Sequence, residues 1–258
     1  MIKIVFLDFD NTLYNHKKKE IPPSAIKVLS EIQAKGVKAY IATGRSMHEI
    51  EGFDLSKFHY DGIISFNGQT ISDKDNQIIY SNPISGVLKT KLVELFNKKT
   101  VPLAIVTQKE TYINFVNDNV IEIQKNISSK APKVSKMKDE DFFMASAYLS
   151  SKEMMNEIEK IKDYATVSYW TDKAVDIVTK DISKATGINK VLELYGIKKE
   201  ESMSFGDGEN DIEMLEATGI SVAMGNAFDI VKEKADYVTD DVDNDGVAKA
   251  INKFILNN

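Results

Sequence analysis

Two aspartates, Asp8 and Asp10, stand two apart directly after the apolar run Ile4-Val5-Phe6-Leu7, and Asn11-Thr12 follow them. Carboxylates at the end of a buried strand are costly to hold there without a cation or a proton. A second polar group, Thr43-Gly44, closes the run Val37 to Ala42, and a third, Gly206-Asp207-Gly208-Glu209-Asn210-Asp211, closes Met203-Ser204-Phe205. Gathered in one cleft, Asp8, Asp10, Asp207 and Asp211 would repel strongly unless a hard cation neutralised them. Magnesium prefers oxygen ligands, keeps waters and bridges to substrate phosphate. Thr43 and the Gly44 amide could donate to phosphate oxygens, and a lysine could balance the remaining charge. An acidic metal site, a spare carboxylate and a phosphate pocket are what phosphoryl transfer needs.

Such groups need a scaffold that collects strand ends. Ile4 to Leu7 reads as a strand buried on both faces. Pro22-Pro23-Ser24 opens a helix with an Ile26, Leu29, Ile32 stripe that Gly36 stops. Val37 to Ala42 is a second strand, Ser46 to Ile50 starts a helix, and Ile63 to Phe66 is a third strand closed by Asn67-Gly68. Strand, helix and strand joined by short turns predict a parallel sheet with helices on its faces, whose strand carboxyl ends share one edge. From Thr70 the pattern changes to hairpins mixed with helices, and from Ser183 the first pattern returns. The sequence therefore predicts an α/β core, residues 1–82 and 183–258, interrupted by an inserted α+β domain over 83–182.

Composition narrows the function. A formal net charge of −6 over 258 residues argues against a general nucleic-acid footprint and gives no support for binding an anionic membrane. There is no cysteine, which removes thiolate metal sites and thiol nucleophiles, and the three histidines suggest no zinc cluster. No apolar run is long enough to span a bilayer, and the opening MIKIVFLDFD reads as a strand instead of a signal peptide, so a cytoplasmic location is the expectation.

The motifs carry a family resemblance. Asp8-Phe9-Asp10-Asn11-Thr12 resembles the first motif of the haloacid dehalogenase superfamily, Thr43-Gly44-Arg45 the second, Lys184 the third and Gly206 to Asp211 the fourth. Ala42-Thr43-Gly44-Arg45 and Val222-Ala223-Met224-Gly225-Asn226-Ala227 resemble the Cof-type phosphatase branch, which carries its cap between the second and third motifs. Asn11 stands where glycine is commoner, and Ala185 follows Lys184 where the branch often has glycine; neither change removes a catalytic group. The resemblance implies a Rossmann-like core with an α/β cap that closes over it and sets specificity. It implies that Asp8 attacks phosphorus and that Asp10 is the general acid and base, starting protonated because negative charge surrounds it. Asp8, the Asp10 carbonyl and Asp207 would hold Mg²⁺ with Asp211 behind them, while Thr43, Gly44, Lys184 and Asn210 would hold the phosphoryl oxygens. Aspartate at position 10 points to a phosphatase or a mutase, since the ion-pump relatives carry threonine there.

Singly, each motif has an ordinary structural explanation. Asp-x-Asp can cap a turn, Ala-Thr-Gly-Arg can be a strand-to-helix turn, and Lys184 can be a solvated lysine, with Lys180 and Lys190 as rivals. In order, each after its own strand, the four point to catalysis. No role is expected for His16, His48 or His59, which read as exposed. Trp170 with Tyr169 reads as cap packing, and Asn67 as a cap of the turn before Gly68 at least as much as a leaving-group contact. The expected activity is Mg²⁺-dependent hydrolysis of small phosphorylated metabolites, sugar phosphates or phosphorylated cofactors. A phosphomutase of the same superfamily and a non-catalytic phosphometabolite-binding protein are the competing readings. No heptad or long apolar stripe marks an oligomer interface.

Overall fold

The computed structural model describes residues 1–127 and 129–257. The chain divides into two compact units, one of Met1–Arg45, Glu49–Ser81 and Ser183–Asn258, the other of Ser46–His48 and Asn82–Ile182.

The first unit opens with β1 (Ile4–Leu7), whose four residues are all buried. Helix α1 (Pro23–Ala34) starts with proline in its first turn and stops before Gly36, where φ is +84°. Its buried stripe is Ala25, Val28, Leu29 and Ile32, so the expected stripe is corrected at Ile26, which is only half-buried. Then come β2 (Lys38–Ala42), β3 (Gly62–Ser65) and the hairpin β4 (Thr70–Asp73) and β5 (Ile78–Ser81), while the short α2 (Met47–Ile50) between β2 and β3 has its first two residues in the second unit.

The second unit contains α3 (Gly86–Lys98), β6 (Leu103–Val106), β7 (Thr111–Ile113), α4 (Asp118–Asn126), β8 (Lys133–Val134), β9 (Met144–Tyr148), α5 (Lys152–Glu159), β10 (Ala165–Thr171) and β11 (Ala174–Thr179). Among the described residues its sheet runs β10-β11-β9-β6-β7-β8. The pairs are antiparallel except β7 with β8. Strand alternation sorts its core: Leu103, Ile105 and Tyr112 pack with Leu88, Leu92 and Phe96 of α3, while Ala104 and Ile113 pack with Val120 and Ile123 of α4. Trp170 joins the second cluster edge-on to Tyr148, which is the packing role expected of it. A buried Asn114 ties this unit together, donating to the Phe96 and Val101 carbonyls and accepting from the Leu103 amide.

The chain returns to the first unit with α6 (Lys184–Tyr195), β12 (Ser202–Gly206), α7 (Ile212–Glu216), β13 (Ile220–Ala223), α8 (Asp229–Lys232), β14 (Tyr237–Val238) and α9 (Gly246–Ile251). Its sheet runs β14-β13-β12-β1-β2-β3-β4-β5 among the described residues. It is parallel from β14 to β3 and antiparallel beyond. One face packs Ile4, Phe6, Tyr40 and Ile64 against Ile188, Val191 and Leu192 of α6 and Met214 of α7. This is an α/β fold with a Rossmann-like parallel core and an inserted α+β cap. Among the described residues no helix is long and apolar enough to cross a membrane.

Candidate active site

β12, β1 and β2 are adjacent and parallel, with Phe205 beside Leu7 and Leu7 beside Ile41. The residues just past their carboxyl ends, Asp207, Asp8 and Thr43, are therefore neighbours on one edge of the sheet. The Asp8 amide donates to the Phe205 carbonyl at 2.9 Å, and the Thr43 amide to the Ile64 carbonyl at 2.9 Å, so sheet bonding continues into the site residues themselves.

Lys184 arrives from a helix. It is the first residue of α6, whose start is pressed against the 66–68 turn. Two glycines permit that approach: a Cβ on Gly68 would meet the Ser183 carbonyl at 2.2 Å, and one on Gly187 would meet Ile64 at 2.4 Å. Ser183 and Thr186 close the first turn with a Thr186 hydroxyl bond to the Ser183 carbonyl at 2.7 Å. Lys184 is 1% exposed, and its Nζ donates to Asp8 Oδ1 at 2.5 Å and to Asp211 Oδ1 at 2.7 Å. Asp211 Oδ2 accepts from the Asp207 and Gly208 amides, both at 3.0 Å. Neither rival lysine is here: Lys180 donates to the Asp163 carbonyl, and Lys190 lies over the Tyr80 ring.

Asp8, Asp207 and Asp211 each place an oxygen within 4.8 Å of the others. One ammonium among three carboxylates leaves the cluster short of positive charge. Burial, with Asp211 next, pushes the Asp8 carboxyl well above the usual range against the pull of Lys184; Asp207 and Asp10 add to the push. Burial and Asp211 likewise push Asp207 up to about 7, opposed by Lys184 and the Thr12 hydroxyl. Burial opposes the charge on Lys184, but Asp211 and Asp8 outweigh it and hold the ammonium above its ordinary value. A cluster of carboxylate oxygens, buried at Asp8 and Asp211 and half-buried at Asp207, that resists ionisation on its own fits a hard divalent cation such as Mg²⁺.

Asp10 is handled differently. Arg45 grips it in a fork, Nη2 donating to Oδ1 at 2.7 Å and Nε to Oδ2 at 2.8 Å. His16 Nε2 donates to Oδ1 at 2.5 Å. Burial would raise this carboxyl, yet the hydrogen bonds and charges of His16 and Arg45 bring it down to about 2. Two expectations are corrected. Surrounding negative charge does not keep Asp10 protonated, because the groups within hydrogen-bond reach are donors. His16, expected to be exposed and without a role, is a turn residue half-buried against Asp10. The 14–20 stretch folds back through an Asp10–Tyr14 bridge and an Asn15–Glu20 bridge, with Asn11 at φ 58°. Tyr14 is buried in that fold, stacked on Phe9 and edge-on to Phe53.

The residues expected to receive phosphate form a third set. Thr43 is buried, and its hydroxyl accepts from the Arg45 amide at 3.1 Å. A Cβ on Gly44 would lie 3.2 Å from the Asn67 side chain. Asn67, at φ 53°, donates its amide to the Thr43 carbonyl at 3.0 Å, and its Oδ1 accepts from Asn210 Nδ2 at 3.3 Å. Asn67 thus does more than cap a turn: it joins Thr43-Gly44 to Asn210.

Sequence reading gave no job to four residues that touch the acids: Thr12, His16, Arg45 and Asn226. Thr12 Oγ1 donates to Asp207 Oδ1 at 3.2 Å, and Asn226 Nδ2 to Asp207 Oδ2 at 3.1 Å. Thr12, Arg45 and Asn226 all lie in the stretches that carry the resemblance, which is the signal that could have flagged them. His16 left none.

Comparison with known proteins finds relatives of one kind along the whole chain. A family profile described as haloacid dehalogenase-like hydrolase matches residues 5–251. The 5-amino-6-(5-phospho-D-ribitylamino)uracil phosphatase YcsE of Bacillus subtilis (strain 168) is 30% identical over 259 residues, covering 99% of this chain and 96% of YcsE. The solved structure of BT1666, a haloalkanoate-superfamily phosphatase from Bacteroides thetaiotaomicron, superposes with a TM-score of 0.90 at 31% identity, covering 98% of this chain and 95% of that one. The subclass IIB sugar phosphatase BT4131 superposes with a TM-score of 0.83 at 31% identity, covering 98% of both chains.

Proposed function

This chain belongs to the haloacid dehalogenase-like hydrolases and is a phosphatase of the Cof type, and from that premise we propose that it hydrolyses small phosphorylated metabolites through an aspartyl-phosphate on Asp8, with Mg²⁺. The observation that carries the reading is Lys184 buried between Asp8 and Asp211 with Asp207 in the same cluster.

Asp8 is the nucleophile. Its carboxylate oxygen bonds to phosphorus as the ester P–O bond breaks, and water then attacks phosphorus to return the free carboxylate and inorganic phosphate. Lys184 aims Asp8 and offsets charge on the phosphoryl oxygens, which Thr43, the Gly44 amide and Asn210 also receive. Asp10 hands a proton to the leaving oxygen and takes one from the water. To do so it must let go of Arg45 and His16 and first take up a proton from solvent. Asp8, Asp207 and the Asp10 carbonyl would hold the cation, with Asp211 fixing the Asp207 turn. When bound, Mg²⁺ would neutralise the carboxylates and withdraw charge from the phosphoryl group. The inserted 83–182 domain carries leaving-group specificity.

Support for the substrate class comes from the relatives: YcsE is named for a phosphoribityl-aminouracil and BT4131 as a sugar phosphatase. The test is phosphate release from p-nitrophenyl phosphate and then from a panel of sugar phosphates and phosphorylated cofactors, with and without Mg²⁺. Mg²⁺-dependent release is expected. Isomerised hexose phosphate without free phosphate would select a mutase, and binding without turnover would select a non-catalytic role.

A further inference from the structure

Asn226 lies in the turn after β13, outside the four motifs that supply the catalytic groups. Its orientation is fixed by its partners. The Val242 amide can only donate, at 3.0 Å to Asn226 Oδ1, so the oxygen faces that way. The two Nδ2 hydrogens then face two acceptors, the Asn11 carbonyl at 3.0 Å and Asp207 Oδ2 at 3.1 Å. Gly225 makes the approach possible, since a Cβ there would meet the Asp241 amide at 2.6 Å.

One amide therefore fastens three pieces of chain. It ties the residue after Asp10, the Asp207 carboxylate, and the 241–245 turn. That turn is itself anchored to the folded-back 14–20 stretch, because Asp243 accepts from Asn15 at 2.8 Å. Asp207 is held at both oxygens, Oδ1 by Thr12 and Oδ2 by Asn226. A carboxylate with one donor on each oxygen cannot rotate about its last bond without losing one of them.

We infer that Asn226 is a positioning residue that orients Asp207 to receive the divalent cation. This rests on the reading that Asp207 holds Mg²⁺. Asn226 is exposed, so its truncation opens no cavity, and a purely structural role would show in stability instead of metal affinity. Groups that orient a metal ligand typically change affinity about 10- to 100-fold when removed.

The experiment is isothermal titration of Mg²⁺ alone into the metal-free full chain, as wild type, Asn226→Ala and Asp207→Asn, with the melting temperature of each metal-free protein. Asn226→Ala is expected to weaken Mg²⁺ binding about 10- to 100-fold while its metal-free Tm stays within about 2 °C of wild type. An Asn226→Ala affinity within about twofold of wild type overturns the inference, and so does a collapse of the metal-free Tm, the mark of a structural residue. Asp207→Asn separates the two levels. If it binds Mg²⁺ as wild type does, or if wild type shows no saturable Mg²⁺ heat, the underlying reading fails and the inference with it. If Asp207→Asn loses Mg²⁺ while Asn226→Ala keeps it, the inference fails alone.

Discussion

Asp8 and Asp10 are two residues apart, yet they sit in opposite electrostatic worlds. Asp8 is enclosed with Asp211, Asp207 and one lysine, and burial raises its carboxyl well above the ordinary range. Asp10 is about a third exposed, forked by Arg45 and capped by His16, and is held near about 2. The same side chain is a buried carboxyl short of positive charge in one place and a parked carboxylate in the other. Role follows from the partners within about 3 Å, not from residue type or spacing.

The sharpest way to break the contrast is to remove the ammonium that sits inside the Asp8 cluster. Lys184→Met should abolish measurable turnover and lower stability at pH 7 by roughly 3–5 kcal/mol, because it leaves buried carboxylates unopposed. Thermal melts and phosphate release check it; a melt like wild type would mean the carboxylates are already neutral. Asp10→Asn should leave folding and Mg²⁺ binding intact and lower kcat by ~10²–10⁴-fold. A drop confined to KM would remove Asp10 from the proton transfers.

pH should separate the two sites by sign. Asp207 and Asp8 have folded values above their unfolded ones, so in the metal-free protein their contribution to stability is full below about pH 4 and is lost as pH rises, through about 7 for Asp207. Asp10 has a depressed value, so its contribution is present above about pH 4 and is lost as pH falls through about 2. Metal-free melts from pH 5 to 8 should therefore fall with pH by an amount that Asp207→Asn reduces. Mg²⁺ affinity should rise over the same window, since only the ionised carboxylate is a ligand. An affinity flat across pH 6 to 8 would contradict the raised Asp207 value. The smallest effect belongs to His16→Ala. Both partners are about a third exposed, so the pair should contribute under ~1 kcal/mol and its loss should move Tm by only a few degrees.

What was legible in the sequence follows the same division. β1, β2 and β12 announce themselves as short apolar runs, and each ends on a polar residue that parallel pairing must bring to one edge; Asp8, Thr43 and Asp207 could be placed from that alone. Lys184 could be placed only through its resemblance to the third motif, with Lys180 and Lys190 as rivals; the close approach that Gly68 and Gly187 permit beside it is visible only in the fold. His16 could not, since its meeting with Asp10 depends on how six residues fold back, and no periodicity records that. Asn226 was visible as part of a resemblance, but its partners are up to 215 positions away. β8 escaped because two exposed residues at a sheet edge carry no pattern. The charge state of Asp10 was misjudged because sequence counts nearby acids and cannot show that Arg45 and His16 reach the carboxylate first.

The central claim is that phosphate passes through Asp8. The direct measurement is rapid acid quench of a single turnover with ³²P-labelled substrate and Mg²⁺, followed by borohydride reduction and peptide mass spectrometry. The account predicts ³²P on the quenched protein before reduction and, once reduction has released that phosphate, homoserine in place of Asp8, with neither in Asp8→Asn. Homoserine at any other residue, or Asp8→Asn turning over at the wild-type rate, would contradict it.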